Sequence, residues 1–387
     1  MREFLLRRRA TTAMAAAATV AVLGLTACGG DDSDSSSASS GDTAADTSAA
    51  QNGSAELAAA KKRLDAATKA PSKIGPTVPI SKPIPSGKSI IYVNCGAVAC
   101  TNTGAGLKEA ATALGWTYKE INAQPTPESI QAAFAQVVRE KPDGVASNGF
   151  STAAYQRQLA QLKDAKIPVL SNTGTEPAGN GLSLQLQSDV APRAMELLAD
   201  KAVLDAGGKG DFGSIIITGY PIVKQYGEAF TAEVKKVCPD CGVKDLEIQP
   251  TSIGKDAPAK ITNFLRANPS VKGIFLGYDD LANGLATAVR NAGVDMPKSY
   301  SWAPTQIGVK ALQTGERTAA VAQGTRETGW QFADAFARSF VGQPVSESAK
   351  WQDWEVWSKD YGNVPKNADN PPVIADYKQQ FLKLWGK

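Results

Sequence analysis

The side chains able to do chemistry in this 387-residue chain are few, and histidine is not among them. Its absence removes Ser-His-Asp and Cys-His nucleophilic catalysis, the commonest general base and every imidazole metal site. Hydrolysis through carboxylates or lysine stays open. Cys28 follows Leu25-Thr26-Ala27, and the other four cysteines fall into two close pairs, Cys95/Cys100 and Cys238/Cys241. In an oxidising compartment such near neighbours read as local disulfides. For Cys238-Pro239-Asp240-Cys241 the rivals are a redox motif or half a zinc site. A redox motif opens a helix, whereas this pair follows a helical stretch, and zinc needs two further ligands. No metal and no cofactor is expected. Asp279-Asp280 suits paired-carboxylate chemistry and equally a helix N-terminus before Leu281. Gly104-Ala105-Gly106 hints at a dinucleotide loop but lacks the third glycine.

The N-terminus must be set aside before any fold is read. Arg2, Arg7, Arg8 and Arg9 precede an uncharged, Ala-rich stretch from Ala10 to Leu25, too short for a comfortable membrane span. Small residues before Cys28 suit a signal peptidase, and the segment resembles the bacterial lipobox, in which the cysteine thiol takes a diacylglycerol. Residues 1–27 are therefore expected to be a lipoprotein signal peptide, with Cys28 the lipidation site. Residues 28–55, mostly Ser, Ala, Asp, Gly and Thr, bury too little to offset their ordering entropy and are expected to be a flexible tether. The working part would then sit outside the cytoplasm, anchored to the cell membrane. Charge argues against nucleic acid as a partner: Lys plus Arg number 41 against 38 acids, four of the arginines lie in the signal, and no basic patch stands out.

The elements that must position any site begin with a helical stretch over 56–70 and a Pro-rich extension through Pro71, Pro76, Pro79, Pro83 and Pro85. From Lys88 strands and helices alternate. Ser89–Asn94, Tyr118–Asn122, Gly144–Asn148 and Pro168–Ser171 read as strands, separated by helices at Thr103–Leu114, Thr126–Glu140 and Thr152–Ala165. The pattern then repeats, with strands at Ser214–Thr218, Asp245–Gln249, Gly273–Leu276, Tyr300–Trp302 and Thr318–Gln323. Helices are expected at 190–206, 222–237, 257–267, 281–291, 308–312, 328–340 and 373–384. Trp351, Trp354 and Trp357 recur every third residue, as on a helix face or a buried strand corner. Alternating units imply parallel sheets covered on both faces, and about 300 residues imply two lobes. The fold class is thus α/β, two doubly wound parallel-sheet lobes joined by a multi-strand hinge, with ligands outside the carboxyl ends of the strands.

Over Lys88 to Val345 the chain resembles the ribose-binding family of periplasmic sugar-binding proteins, a type I periplasmic binding protein fold. The likeness is carried by Gly106-Leu107-Lys108-Glu109-Ala110 with Leu114-Gly115-Trp116, by Lys166 to Leu170, and by Gly207-Gly208-Lys209-Gly210. Gly227-Glu228-Ala229-Phe230, Ala267-Asn268-Pro269, Ala288 to Gly293 and Ala320-Val321-Ala322-Gln323 continue it in order. The resemblance implies lobe 1 at 88–173 plus 324–345 and lobe 2 at 174–323 plus 346–387, after an N-terminal helix and extension at 56–87. It implies ligand contacts at Asn94, Phe150, Ser151, Lys224, Ile253, Tyr278, Asp279, Trp302, Ala303 and Gln323; Asn148 and Tyr220 join them by residue type. Two acids that grip sugar hydroxyls in the family are missing, one near Phe150 and one at Ala303. A less hydroxylated or partly aromatic ligand is as plausible as a monosaccharide.

The implied function is that of a solute-binding protein, likewise monomeric, that captures a small molecule between lobes and delivers it to an ABC permease and ATPase. No catalysis is expected. The alternatives are a module presenting its ligand to a membrane sensor, or a histidine-free hydrolase.

Overall fold

Six of the seven residues of Asp211–Ile217 are buried, because this strand of the second sheet has neighbouring strands on both sides and helices over both faces. The computed structural model describes residues 43–187 and 191–387; the signal peptide, Cys28 and residues 29–42 of the expected tether lie outside the described residues. Residues 47–387 form one compact unit.

The chain opens with α1 (Thr43–Ala66) and the Pro-rich extension. The first lobe then runs β1 (Ser89–Asn94), α2 (Val98–Leu114), β2 (Thr117–Asn122), α3 (Pro127–Glu140), β3 (Gly144–Asn148), α4 (Gln156–Asp164), β4 (Val169–Asn172) and β5 (Leu182–Leu186). Its parallel sheet has the order β2-β1-β3-β4-β5. The second lobe runs α5 (Ala191–Asp205), β6 (Asp211–Ile217), α6 (Pro221–Val237), β7 (Gly242–Ile248), α7 (Ala257–Ala267), β8 (Val271–Leu276), α8 (Leu285–Asn291), β9 (Lys298–Trp302), α9 (Gln306–Thr314) and β10 (Ala319–Val321). After α10 (Thr325–Val341) come β11 (Val356–Ser358) and α11 (Tyr377–Leu384). The second sheet has the order β11-β10-β9-β8-β6-β7, with only β11 antiparallel.

Local chemistry accounts for the ends of elements. Helix α3 starts where the Thr126 hydroxyl accepts from Ser129 N–H, with Pro127 in the first turn, and it carries Glu128 at the positive end of the helix dipole. Helix α2 stops at Gly115, in the left-handed region at φ 74°. Helices α2 and α10 cross backbone to backbone. A Cβ on Gly106 would meet Arg326 O at 2.1 Å, and one on Gly329 would meet Leu107 N at 2.3 Å. Gly104-Ala105-Gly106 is therefore the middle of a closely packed helix and not a phosphate loop.

The structure departs from the expected boundaries at four places. Leu182-Ser183-Leu184-Gln185-Leu186, passed over as a strand, pairs with β4, so the first lobe continues past residue 173 to Leu186. The C-terminal remainder, assigned to the second lobe, is divided: β11 joins the second sheet, while Tyr377, Phe381 and Trp385 of α11 and its cap pack on Trp330 of α10 in the first lobe. Apolar residues on one helical face need a covering partner, and the first lobe supplies it. Helix α2 begins at Val98, inside the Cys95–Cys100 pair, rather than at Thr103. Helix α1 begins at Thr43, within the stretch expected to be tether.

Both termini cross between lobes together. Leu64 and Ala67 pack in the second-lobe core and Arg63 pairs with Asp200 at 2.7 Å, while further along Ile74 and Ile80 enter the first-lobe core. The two segments are stitched to each other by Val356 N–H to Ala67 O at 2.8 Å, Asn363 Nδ2 to Thr68 O at 3.1 Å and Ile80 N–H to Leu384 O at 2.8 Å.

Candidate functional site

An in-register row of asparagines closes the carboxyl edge of the first sheet. Asn94 stands opposite Asn122, Asn148 stands opposite Asn172, and Val93 opposite Ser147 puts Asn94 on the rung beside Asn148. Four parallel strands thus end on the same residue type, and in parallel register these side chains share a face. Val-Ala-Ser-Asn at 145–148 and Val-Leu-Ser-Asn at 169–172 lie side by side residue for residue.

The row divides into structural and free members. Asn94 is fully engaged: its Nδ2 donates to Glu120 Oε1 at 2.8 Å, and its Oδ1 accepts from Gly96 N–H at 2.9 Å, shaping the loop that Cys95 and Cys100 pin. Asn148 is 4% exposed, and its Nδ2 donates to Thr103 Oγ1 at 3.3 Å. The Thr103 hydroxyl proton is already given to Ala99 O at 3.0 Å, so Thr103 can only accept from Asn148. That fixes the amide's orientation and leaves Asn148 Oδ1 buried without a partner. Asn172, 1% exposed, has an unpartnered Oδ1 as well. Buried polar atoms of this kind want a donor from elsewhere.

The second lobe presents its own carboxyl edge through the loops after β6 and β8. Tyr220, after β6, reaches across to the first lobe: its ring lies against Gly149, where an added Cβ would be 3.6 Å from the ring. Gly149 is the residue after Asn148 and sits at φ 74°. Tyr278, after β8, packs on the second-lobe core, and its hydroxyl lies near Asp280 and near the backbone N–H of Val98 at the start of α2. Burial first, and Asp280 second, push that phenol well above its usual range. Asp280 accepts from Thr305 Oγ1 at 3.2 Å, and burial raises its carboxyl above the ordinary aspartate value, against the pull of Tyr278 and Thr305.

The structure brings Asn148, Tyr220 and Tyr278 to the facing edges and removes most other expected contacts from them. Lys224 projects into solvent, 68% exposed, 3.7 Å from Glu228 one turn along α6. Asp279 is consumed inside the second lobe by Arg317 at 2.7 Å, Ser301 at 2.9 Å and the Thr305 amide at 2.9 Å. Trp302 is core, 4.9 Å from Trp354 and 5.7 Å from Tyr226 between ring centres. Phe150 is buried in the first-lobe core beside Tyr155, and Ser151 caps the short turn Thr152–Tyr155 and donates to Glu176. Gln323 lies where the chain crosses between lobes and donates to Gln187 Oε1 at 2.5 Å, while Gln187 donates to Thr328 at 3.2 Å. In each case a neighbouring partner outcompetes the cleft: a charge for Asp279, an aromatic wall for Trp302, water for Lys224. Asn172 was missed, although the repeated strand ending signalled it; Asp280 was read only as the partner of Asp279 in an acid pair or at a helix N-terminus.

Both cysteine pairs have sulfurs at bonding distance, 2.02 Å for Cys95–Cys100 and 2.05 Å for Cys238–Cys241. The second pair follows the C-terminus of α6, which excludes the helix-opening geometry of a redox motif. Among the described residues no acidic, cysteine or histidine cluster is arranged to hold a metal ion. A cavity of about 500 Å³ opens beside this edge in the first lobe, lined by Thr152, Gln156, Leu159, Glu176 and Asn180.

Two parallel sheets with facing carboxyl edges and repeated crossings define the class of two-lobed binding proteins. Residues 96–344 match the periplasmic binding protein domain, and the chain belongs to that family. Membership implies an extracytoplasmic location. Solved structures share the fold. A solute-binding protein of an ABC transporter from Agrobacterium vitis, bound with alpha-D-tagatopyranose, is 21% identical with a TM-score of 0.64, over 74% of this chain and 99% of that one. One from Actinobacillus succinogenes with bound D-allose is 18% identical with a TM-score of 0.61, over 72% and 99%. An ABC sugar transporter subunit from Rhodobacter sphaeroides is 20% identical with a TM-score of 0.61, over 71% and 99%. At these identities the likeness is one of fold. No curated protein matches the chain.

Proposed function

We propose that this chain is a solute-binding lipoprotein: it captures a sugar or sugar-like molecule between its lobes and delivers it to an ABC importer, tethered by lipid on Cys28. One observation carries the reading. Buried Asn148 and Asn172 hold unpartnered oxygens at the carboxyl edge that Tyr220 and Tyr278 approach from the other lobe. Such an arrangement offers hydrogen-bond anchors on one side and aromatic faces on the other, which is how polar rings are gripped. The ligands printed for the Agrobacterium vitis and Actinobacillus succinogenes proteins, both sugars, support the substrate class. Oxidised cysteine pairs suit the extracytoplasmic setting and would brace the first loop and the end of α6. No catalytic role is assigned: in the buried acid pair Asp279 with Asp280, the first member is locked to Arg317.

The test is a thermal-shift screen of the full chain against sugars, polyols, aromatic acids and amines, followed by calorimetry. A single ligand per chain that raises Tm in proportion to the logarithm of its concentration supports the reading. Consumption of any screened compound without such a shift overturns it. Anchoring is tested separately, because Cys28→Ala should move the protein from the membrane fraction to the soluble one.

A further inference from the structure

The lobes touch across the cleft, and one side chain packs on the cores of both. Tyr220 is carried by the second lobe, after β6, at the N-cap of α6. Pro221 follows it and restricts it to the extended backbone it adopts, φ −123° and ψ 101°. Its ring packs against the second-lobe core and also against the first-lobe cluster that contains Phe150 and Tyr155. The place it meets is the turn after β3, where a Cβ on Gly149 would stand 3.6 Å from Tyr220 Cδ1. Gly149 sits at φ 74°, and its N–H donates to Asn172 O at 2.9 Å. The turn under the ring is thus tied to the end of the neighbouring strand β4. A second approach comes from Tyr278. Ala97, the N-cap of α2, offers the helix no side-chain cap, and the Tyr278 hydroxyl lies near the Val98 N–H. The first-lobe loops after β1 and β3 therefore each face a tyrosine of the second lobe.

Shutting the lobes carries a cost that this contact opposes. Asn148 and Asn172 are 4% and 1% exposed, and each keeps an unpartnered Oδ1. A buried oxygen without a donor is unfavourable. An aromatic ring seated on both cores supplies apolar burial in the other direction. We propose that Tyr220 is an interlobe latch: its ring, seated against Gly149, holds the lobes shut through the chain's own contacts and must release before a ligand reaches the asparagines. Its role in capture rests on the binding-protein reading; the contact itself does not. Entry proceeds through the fraction of molecules in which the latch is released, so Tyr220 sets how fast the cleft exchanges its ligand.

The experiment measures the distance between two spin labels in the full chain with no ligand added. One label sits on each lobe at an exposed position, Lys163→Cys near the end of α4 and Lys255→Cys before α7, with Cys28→Ala to remove the remaining thiol. With Tyr220 in place a single short-distance population is expected. Tyr220→Ala should move at least half of the molecules to a longer distance, an effect that a residue serving only stability does not produce. Tyr220→Phe keeps the ring and should leave the distribution unchanged. Thermal melting shows that each variant has folded; if Tyr220→Ala does not fold, Tyr220→Leu decides in its place. An unchanged distribution in the folded variant would overturn the latch and leave the binding-protein reading intact. Opening by Tyr220→Phe as large as that by Tyr220→Ala would overturn it too, because the ring would then not be the holding group. Labels that part in Tyr220→Ala, in a chain that binds no compound in the thermal-shift screen, would uphold the latch and sink the proposed function instead.

Discussion

Asn94 and Asn148 occupy equivalent rungs and do different work, because their neighbours differ. Glu120 on β2 and the turn at Gly96 claim every polar atom of Asn94 that could face a ligand, whereas Asn148 has only Thr103. The distinction can be measured. Asn94→Ala removes the acceptor for Gly96 N–H and the donor to Glu120, and should destabilise the fold by about 1–3 kcal/mol in urea denaturation. It should also disturb the loop that carries Val98 to Tyr278.

Two elements are fixed by buried ionisable groups. Helix α1 is held to the second lobe by Arg63, which donates to Asp200 at 2.7 and 2.8 Å and lies beside Glu233. Asp200 has no solvent exposure, so Arg63→Ala strands a buried carboxylate and should cost about 3–5 kcal/mol by chemical denaturation. At the start of α10, Glu327 accepts from the Val373 and Ile374 amides at 2.7 and 3.0 Å. Burial nevertheless raises its carboxyl from 4.5 to about 7. The folded state therefore binds a proton that the unfolded chain has released. Stability from this group is full below about 4.5, falls as pH rises through 7 and is level above it. Its span is about 3 kcal/mol. Glu327→Gln should flatten the stability profile between pH 5 and 8 relative to the parent chain; an unchanged slope would refute the assignment.

At the scale of the molecule, the segments flanking residues 96–344 are what join the lobes on the side of the chain crossings. The N-terminal extension and the C-terminal segment pair with each other along both lobes, through Ala67, Thr68 and Ile80 on one side and Val356, Asn363 and Leu384 on the other. Trp385 closes the far end: it stacks on Trp330 at 5.3 Å and donates to Asp334 at 2.9 Å. Trp385→Ala should cost about 3–5 kcal/mol. Because α11 and the extension share a first-lobe core, calorimetry should show the first lobe losing stability with the extension in a single transition. A separate early transition of the C-terminal segment would refute that coupling.

Much of this protein was determined by its sequence alone. The runs Ser214 to Ile217 and Ser89 to Asn94, the caps around Thr126-Pro127 and Gly115, and the alternation of strand with helix fix two doubly wound sheets, because burial period and helix-end chemistry act over a few residues. The close cysteine pairs were equally legible, their geometry being local. Only the tertiary structure decided which polar residues were free. Asp279, Trp302 and Gln323 all stand near the ends of strands or the crossings, but Arg317, Trp354 and Gln187 take them, and those partners come from turns, neighbouring strands or the other side of a crossing, while Lys224 is turned to water. The pairing of β5 with β4 and the docking of α11 on the first lobe were likewise set by long-range packing. A periodic pattern states which face of an element is apolar; what that face meets, and whether a polar side chain is satisfied or left waiting, depends on residues far away in the chain.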